Sequence, residues 1–227
     1  MRIGVFADVH GNIYAFEKVL PSLKQEGADF YVFCGDICGY YYYQNEIIKI
    51  LREMDNLIYV SGNHDRLFIR MLQDQSLENE YERQYGKSSR LLKNSISKEN
   101  LEFIEGMPDK YIFKDYKVAV FHGSPWDLMN GYVYPSSCLK EFEELAYAYV
   151  ILGHTHYAMD KFAGNVRIVN PGSCGQPRDG GNPSYAIIDL EKKTVQIKRV
   201  QYDRAPMIRD VLKHQEKNTY LTTVLER

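Results

Sequence analysis

The sequence predicts an α/β fold, and three observations carry the prediction. Short apolar runs at about 2–7, 30–34 and 57–60 read as buried strands, with helix-patterned segments between them. Each run ends in a polar cluster of Asp, His or Asn. From about residue 110 the strand-like runs become more closely spaced and are joined by short turns. The β-α-β-α-β rhythm implies a parallel sheet with right-handed crossovers. In such sheets a ligand site lies off the carboxyl ends of the strands. All three early polar clusters fall there.

The first strand delivers Asp8-Val9-His10-Gly11-Asn12, and Asn12 can cap a helix. In that helix Ile13, Phe16, Leu20 and Leu23 follow core-facing spacing. Pro21 predicts a kink or an early stop, and Gly27 an end. Phe30–Cys34 leads to Gly35-Asp36, and a second helix over about 44–54 turns Ile47, Ile48, Leu51 and Met54 inward. Leu57–Val60 leads to Ser61-Gly62-Asn63-His64-Asp65. Residues 66–107 are mostly polar and helical, with Ser97 as an N-cap. No Gly/Ser-rich linker sets them apart, so they form a helical cap-like segment of one domain spanning 1–227. Two strands over about 110–121 end in His122-Gly123-Ser124. A helix near 137–147 precedes the strand Tyr149–Leu152, which ends in Gly153-His154-Thr155-His156. Strands near 157–162, 166–169, 184–190 and 194–200 have the short turns of an antiparallel meander. The last twenty-odd residues read as polar helix, with His214 on a solvated surface.

A length of 227 residues suits one sizeable core. The net charge of −2 argues against strong nucleic-acid binding, which calls for a basic excess. No apolar run approaches the roughly 18–20 residues of a membrane span, and the N-terminus lacks the features of a signal peptide. A soluble, cytoplasmic protein is expected. Cys34 and Cys38 are spaced C-x3-C without the second pair that a zinc site usually needs, so reduced cysteines are expected.

Five of the six histidines (His10, His64, His122, His154 and His156) fall at strand ends. Asp8, Asp36, Asn63 and Asp65 stand beside them. Singly, each has a plain explanation: a hydrogen-bonded histidine, a helix cap, a turn residue. Together they assemble mixed nitrogen and oxygen donors with no soft sulfur. That set suits two divalent transition metal ions (Mn, Fe, Ni, Zn or Co) better than Ca or Mg alone. A paired metal site clamps the attacking and leaving oxygens of a displacement at phosphorus.

The series Asp8-x-His10, Gly35-Asp36-x-x-Gly39, Gly62-Asn63-His64-Asp65, His122-Gly123 and Gly153-His154-Thr155-His156 resembles the calcineurin-like metallophosphoesterases, block for block and in order. Asn170-Pro171-Gly172-Ser173 and Gly175-Gln176-Pro177-Arg178 are similar to the small prokaryotic-type phosphoesterases, the diadenosine-tetraphosphatase-like members among them. The resemblance implies two mixed β-sheets face to face, flanked by helices in an αββα sandwich. It implies that Asp8, His10 and His156 hold one metal and Asn63, His122 and His154 the other, with Asp36 bridging. It leaves His64 free beside the phosphate as a general acid, with metal-bound hydroxide as nucleophile. Asp65 either orients His64 or caps the following helix.

The expected activity is hydrolysis of phosphate mono- or diesters, on a small phosphoester substrate, with a nucleotide as one candidate. A non-catalytic metal-binding or scaffold protein on the same fold is the alternative, but none of the expected ligands is missing. Three features are candidates to shape the substrate pocket. The run Tyr40–Tyr43, including Tyr41, and the sole tryptophan, Trp126, offer rings for stacking. Arg178 offers a grip on phosphate, alongside Asn63. Packing of the tyrosines under the cap, and a surface ion pair for Arg178, are the competing readings.

Overall fold

The computed structural model describes residues 1–226. Its strands β1 (Arg2–Phe6), β2 (Phe30–Phe33), β3 (Leu57–Tyr59), β9 (Ser184–Asp189) and β10 (Thr194–Arg199) form one sheet in the order β10-β9-β1-β2-β3. The strands β4 (Lys110–Phe113), β5 (Val118–Phe121), β6 (Tyr149–Ile151), β7 (Ala158–Ala163) and β8 (Val166–Pro171) form a second, in the order β4-β5-β6-β8-β7. Both are mixed. β1, β2 and β3 run parallel, as do β5, β6 and β8, while β9 and β4 pair antiparallel with β1 and β5.

Side-chain alternation along each strand explains why the sheets stack. Ile3, Val5, Val32, Cys34, Ala186 and Ile188 of the first sheet share one apolar cluster with Val118, Val120, Tyr149 and Ile151 of the second. The intervening residues Phe6, Phe33, Tyr185 and Ile187 face the other way, onto the helices. In the second sheet Ala119, Phe121 and Val150 face outward and are covered by Phe142. Fully burying one such aliphatic side chain stabilises by about 1.5–3 kcal/mol, so the inter-sheet layer is a main source of stability.

The helices are α1 (Ile13–Gln25), α2 (Gln44–Arg52), α3 (Asn63–Gln73), α4 (Glu78–Tyr85), α5 (Ser88–Ser95), α6 (Lys98–Glu105), α7 (Ala205–Lys213) and α8 (Tyr220–Thr223). Asn12 caps α1 by accepting the Ala15 amide, and Ser97 caps α6 through Asn100. Pro21 does not stop α1. It sits on the exposed face, where water can take the carbonyl its ring leaves free. Helices α3 to α6 place Phe68, Met71, Tyr81, Leu92 and Ile104 in the same core as α1 and α2.

Three expectations need correction. The segment near 137–147 is not an α-helix; only Lys140–Glu144 form a short 3-10 turn. Leu139, Phe142 and Leu145 recur every third residue, a spacing that lines one face of a 3-10 turn. The late strands are not one meander. β7-β8 and β9-β10 are hairpins in different sheets, and β9 returns to pair with β1. The C-terminal segment is not merely polar: Met207, Val211, Leu221 and Leu225 pack with Tyr40 and Tyr41, and the half-buried His214 ring lies 4.2 Å from that of Tyr42.

Cys34, Cys38 and Cys174 are buried free thiols, and Cys138 is exposed. Among the described residues no helix is long and apolar enough to cross a membrane.

Candidate metal centre

The loops that leave the strand ends are laced together before any side chain is considered. The amides of Asp8 and His10 donate to the carbonyls of Gly35 and Asp36, and that of Gly153 to His122. Ser173 Oγ donates to the Asp8 carbonyl at 2.7 Å, and Asn170 Nδ2 to that of Gly153 at 2.6 Å. The Asn170–Ser173 block therefore clasps two of the loops. Asp8, His10, Asp36, His154 and His156 all have positive φ, between 49° and 68°. Non-glycine residues rarely adopt this conformation, and a cluster of them marks a functional site. β6 ends at Ile151, and His154 and His156 beyond it each take a left-handed conformation rather than an extended one.

Two buried groups result: Asp8, His10 and His156, and Asp36, His122 and His154. Each draws on both sheets. Asp8 and His10 follow β1 and Asp36 follows β2, whereas His122 follows β5 and the other two histidines follow β6. Asn63 Oδ1 joins the second group, 2.9 Å from both His122 Nε2 and His154 Nδ1. Asp36 lies between the groups, its Oδ2 3.6 Å from His10 Nε2 and 3.3 Å from His122 Nε2.

Tautomers decide what this cluster wants. The Nδ1 atoms of His10, His122 and His156 lie 2.6–2.7 Å from the carbonyls of Cys38, Cys34 and Gln176. A carbonyl only accepts, so each Nδ1 carries a proton and each Nε2 faces inward, with a lone pair to offer when the ring is neutral. His10 Nε2 and His156 Nε2 then face each other at 3.0 Å with no proton between them. Asp8 Oδ2 and His154 Nε2 are buried without hydrogen-bond partners. Two such buried sets, each a carboxylate with two imidazoles and one of them joined by the Asn63 amide oxygen, call for cations, so the residues present fit two metal ions.

The electrostatics agree. Burial drives His10 down to about 3, against the pull of Asp36. Burial likewise drives His154 down to about 3, helped by His122. Burial opposes a charge on His122, but the Asp36 carboxylate outweighs it and lifts His122 to about 9, so that a proton at its Nε2 stands where a cation would. Burial also works to raise Asp36, yet the neighbouring histidines, His122 foremost, hold it well below the usual carboxylate range.

Residues 1–193 match the model of the calcineurin-like phosphoesterase superfamily domain. The chain belongs to this superfamily. It is 32% identical over 229 aligned positions to an uncharacterized protein of Methanocaldococcus jannaschii, covering 88% of each. Its fold matches a crystal structure of a metallophosphoesterase from Sphaerobacter thermophilus with a TM-score of 0.83 and 28% identity, over 100% of this chain and 99% of that one. A hypothetical protein from Pyrococcus horikoshii matches over 98% and 97% with a TM-score of 0.81; its 21% identity speaks for the fold alone.

Beside the calcineurin-like ligand cluster lies a cavity of about 230 Å³ lined by Asp36, Tyr40, Asn63, His64, Gln84, Tyr85, Tyr132, His154, His156 and Arg178. Larger hollows of about 490 and 590 Å³ lie between α2 and α6 and between α4, α5 and residues 216–219, but their walls hold no ligand residue. In the site cavity His64 belongs to neither metal group, although its ring lies edge-on to that of His10 at 5.0 Å. Its ring packs 4.6 Å from Tyr85 and 4.9 Å from Tyr40. Burial pushes it down to about 4, against the pull of Asp36. A Cβ on Gly39, at φ +85°, would lie 2.6 Å from His64 Nδ1, so glycine there makes room for the ring.

Asp65 does not face the cavity. Its Oδ1 accepts the amides of Ile37 and Cys38, and its Oδ2 those of Asp36 and Gly62, all at 2.9–3.0 Å. This geometry favours capping and loop-holding over orienting His64. Arg178 lies in the wall and donates to Tyr40 Oη at 3.0 Å and Gln176 Oε1 at 3.1 Å. Its Nε is buried without a partner, and among the described residues it pairs with no carboxylate.

Two expected substrate contacts fail. Tyr41 is fully buried and donates to the Leu221 carbonyl, because its ring belongs to the core that seats α8. Trp126 lies outside the cavity, edge-on to Phe142 at 4.8 Å on the outer side of the second sheet. Within the tyrosine run, Tyr42 and Tyr43 bond Glu216 and Asp210 of the C-terminal segment, and Tyr40 alone reaches the cavity. Sequence reading missed Gln84, Tyr85 and Tyr132. No local pattern marks them, since α4 and the loop after β5 carry them to the cavity from 84–85 and 132.

Proposed function

We propose that the chain is a dinuclear metal-dependent phosphoesterase that hydrolyses small phosphate mono- or diesters. The observation that carries this reading is the buried convergence of Asp8, His10, Asp36, Asn63, His122, His154 and His156 beside a cavity whose wall holds His64 and Arg178. Two divalent ions bound there would supply Lewis-acid charge for the phosphoryl group and acidify water for attack.

The chain's own residues supply the rest. The carboxylate-free Arg178 guanidinium binds phosphoryl oxygens, and its bond to Tyr40 fixes its direction. Burial holds His64 down to about 4 and so favours its neutral ring. The negative charge of an arriving ester raises its affinity for a proton, which the ring then gives to the departing oxygen. Asp65 holds the Asp36 loop through its four amides. The cavity volume of about 230 Å³ supports a small ester rather than a protein or a duplex.

The test is hydrolysis of p-nitrophenyl phosphate and bis(p-nitrophenyl) phosphate by the Mn²⁺-reconstituted chain, with and without EDTA. Turnover that EDTA abolishes and Asp36→Asn nearly abolishes is expected. Turnover in Asp36→Asn equal to that of the unaltered chain overturns the dinuclear reading.

A further inference from the structure

Part of the wall of the site cavity is aromatic in a way the hydrolytic chemistry does not require. Tyr132 and Tyr85 both line the cavity, from unrelated parts of the chain. Tyr85, at the end of α4, packs against His64. Tyr132, in the loop after β5, lies 4.1 Å from the ring of His154. Yet Tyr132 is 55% exposed, unlike a tyrosine whose task is only to fill space.

It is also held in place. The Asp127 carbonyl and carboxylate accept the amides of Ser124, Gly131, Met129 and Asn130, winding residues 124–131 into a tight loop. A Cβ on Gly131 would collide with Ser124 Oγ, so the residue before Tyr132 has one place to be. Behind Tyr132, Tyr134 stacks at 5.8 Å with its ring only 10° from parallel, and Tyr157 closes edge-on against Tyr134 at 5.5 Å. The result is a rigid, half-exposed stack of rings at the mouth of a phosphate-sized cavity. Such a platform suits a flat π-system and has little to offer an alkyl chain beyond contact area.

We infer that Tyr132, backed by Tyr134 and faced by Tyr85, forms a specificity subsite for the ring of an aryl or nucleoside phosphoester. This rests on the phosphoesterase reading above and names its substrate class. Arg178 and the metal groups take the phosphate; the tyrosines take the ring beyond it.

The experiment compares two esters with the same kind of primary alcohol leaving group, a nucleoside 5′-monophosphate and glycerol 3-phosphate, together with the methyl diester of each, on the Mn²⁺-reconstituted holoenzyme. Tyr132→Ala is expected to lower kcat/KM for the nucleoside ester about tenfold or more, chiefly through KM, and to leave the glycerol ester within about twofold. Tyr132→Phe, which keeps the ring, is expected to restore the preference. An equal loss on both esters, or a loss of bound metal, overturns the inference and makes Tyr132 a support for His154. Equal kcat/KM for both esters in the unaltered enzyme also overturns it while leaving the phosphoesterase reading intact. If the unaltered enzyme turns over none of the four esters nor the p-nitrophenyl pair, the phosphoesterase reading itself falls.

Discussion

Replacing Asp65 by Asn separates the two roles open to this residue. The carboxylate accepts four amides, two on each oxygen. Whichever way an asparagine amide is turned, its NH2 faces two of those N–H groups, either Ile37 and Cys38 or Asp36 and Gly62. Each buried donor left without an acceptor costs about 1–3 kcal/mol, so the variant should lose about 2–6 kcal/mol. Relief of repulsion from Asp36, which helps burial to raise the Asp65 pKa, returns part of this. For a chain of this size about 1 kcal/mol shifts Tm by about 2–4 °C, giving a fall on the order of 4–20 °C. The Asp36 loop sits at φ +66° and depends on these bonds, so metal content should fall with it. Differential scanning calorimetry and elemental analysis read both. A variant with unchanged Tm and full metal content, but slower turnover, would refute the loop-holding role and return Asp65 to orienting His64.

Other substitutions follow from the same geometry. His64→Ala should lower turnover by about 10²–10⁴-fold while leaving two metals per chain by elemental analysis; loss of a metal would show His64 to be a ligand. His154→Ala and His156→Ala should each weaken a different ion, because the two histidines serve different groups, and stepwise metal titration should show a different step missing in each. Tyr41→Phe removes the hydroxyl that donates to the Leu221 carbonyl, a loss of about 0.5–1.5 kcal/mol, so Tm should fall slightly and the ranking of substrates should not move. A changed ranking would place Tyr41 back in the pocket.

The ligands were legible because each announces itself locally. An apolar run such as Phe30–Phe33 can only be a buried strand, and a polar Gly35-Asp36 directly after it must lie at the strand's end. The helix caps at Asn12 and Ser97 were legible for the same reason. Long-range pairing was not. Nothing in Ser184–Asp189 says that it returns to β1 rather than continuing from β8. The tyrosine run shows the same limit within four residues. Which of four consecutive rings faces the cavity depends on Tyr40 adopting φ +61° and on α8 covering Tyr41, a segment about 180 residues away. The aromatic wall at Tyr85 and Tyr132 exists only once α4 and the loop after β5 meet.

Each metal group takes residues from both sheets, and this has a consequence for how the molecule comes together. Neither group exists in a chain with only one sheet formed, so occupancy by metal reports the last stage of folding rather than an early nucleus. Once bound, an ion acts as a cross-tie between two layers otherwise joined by apolar contact and short loops. Its contribution grows with free metal, by about 2.7 kcal/mol at a hundredfold excess over Kd. A chain short of metal would lack that tie along the seam between its sheets and so be more open to proteolysis there.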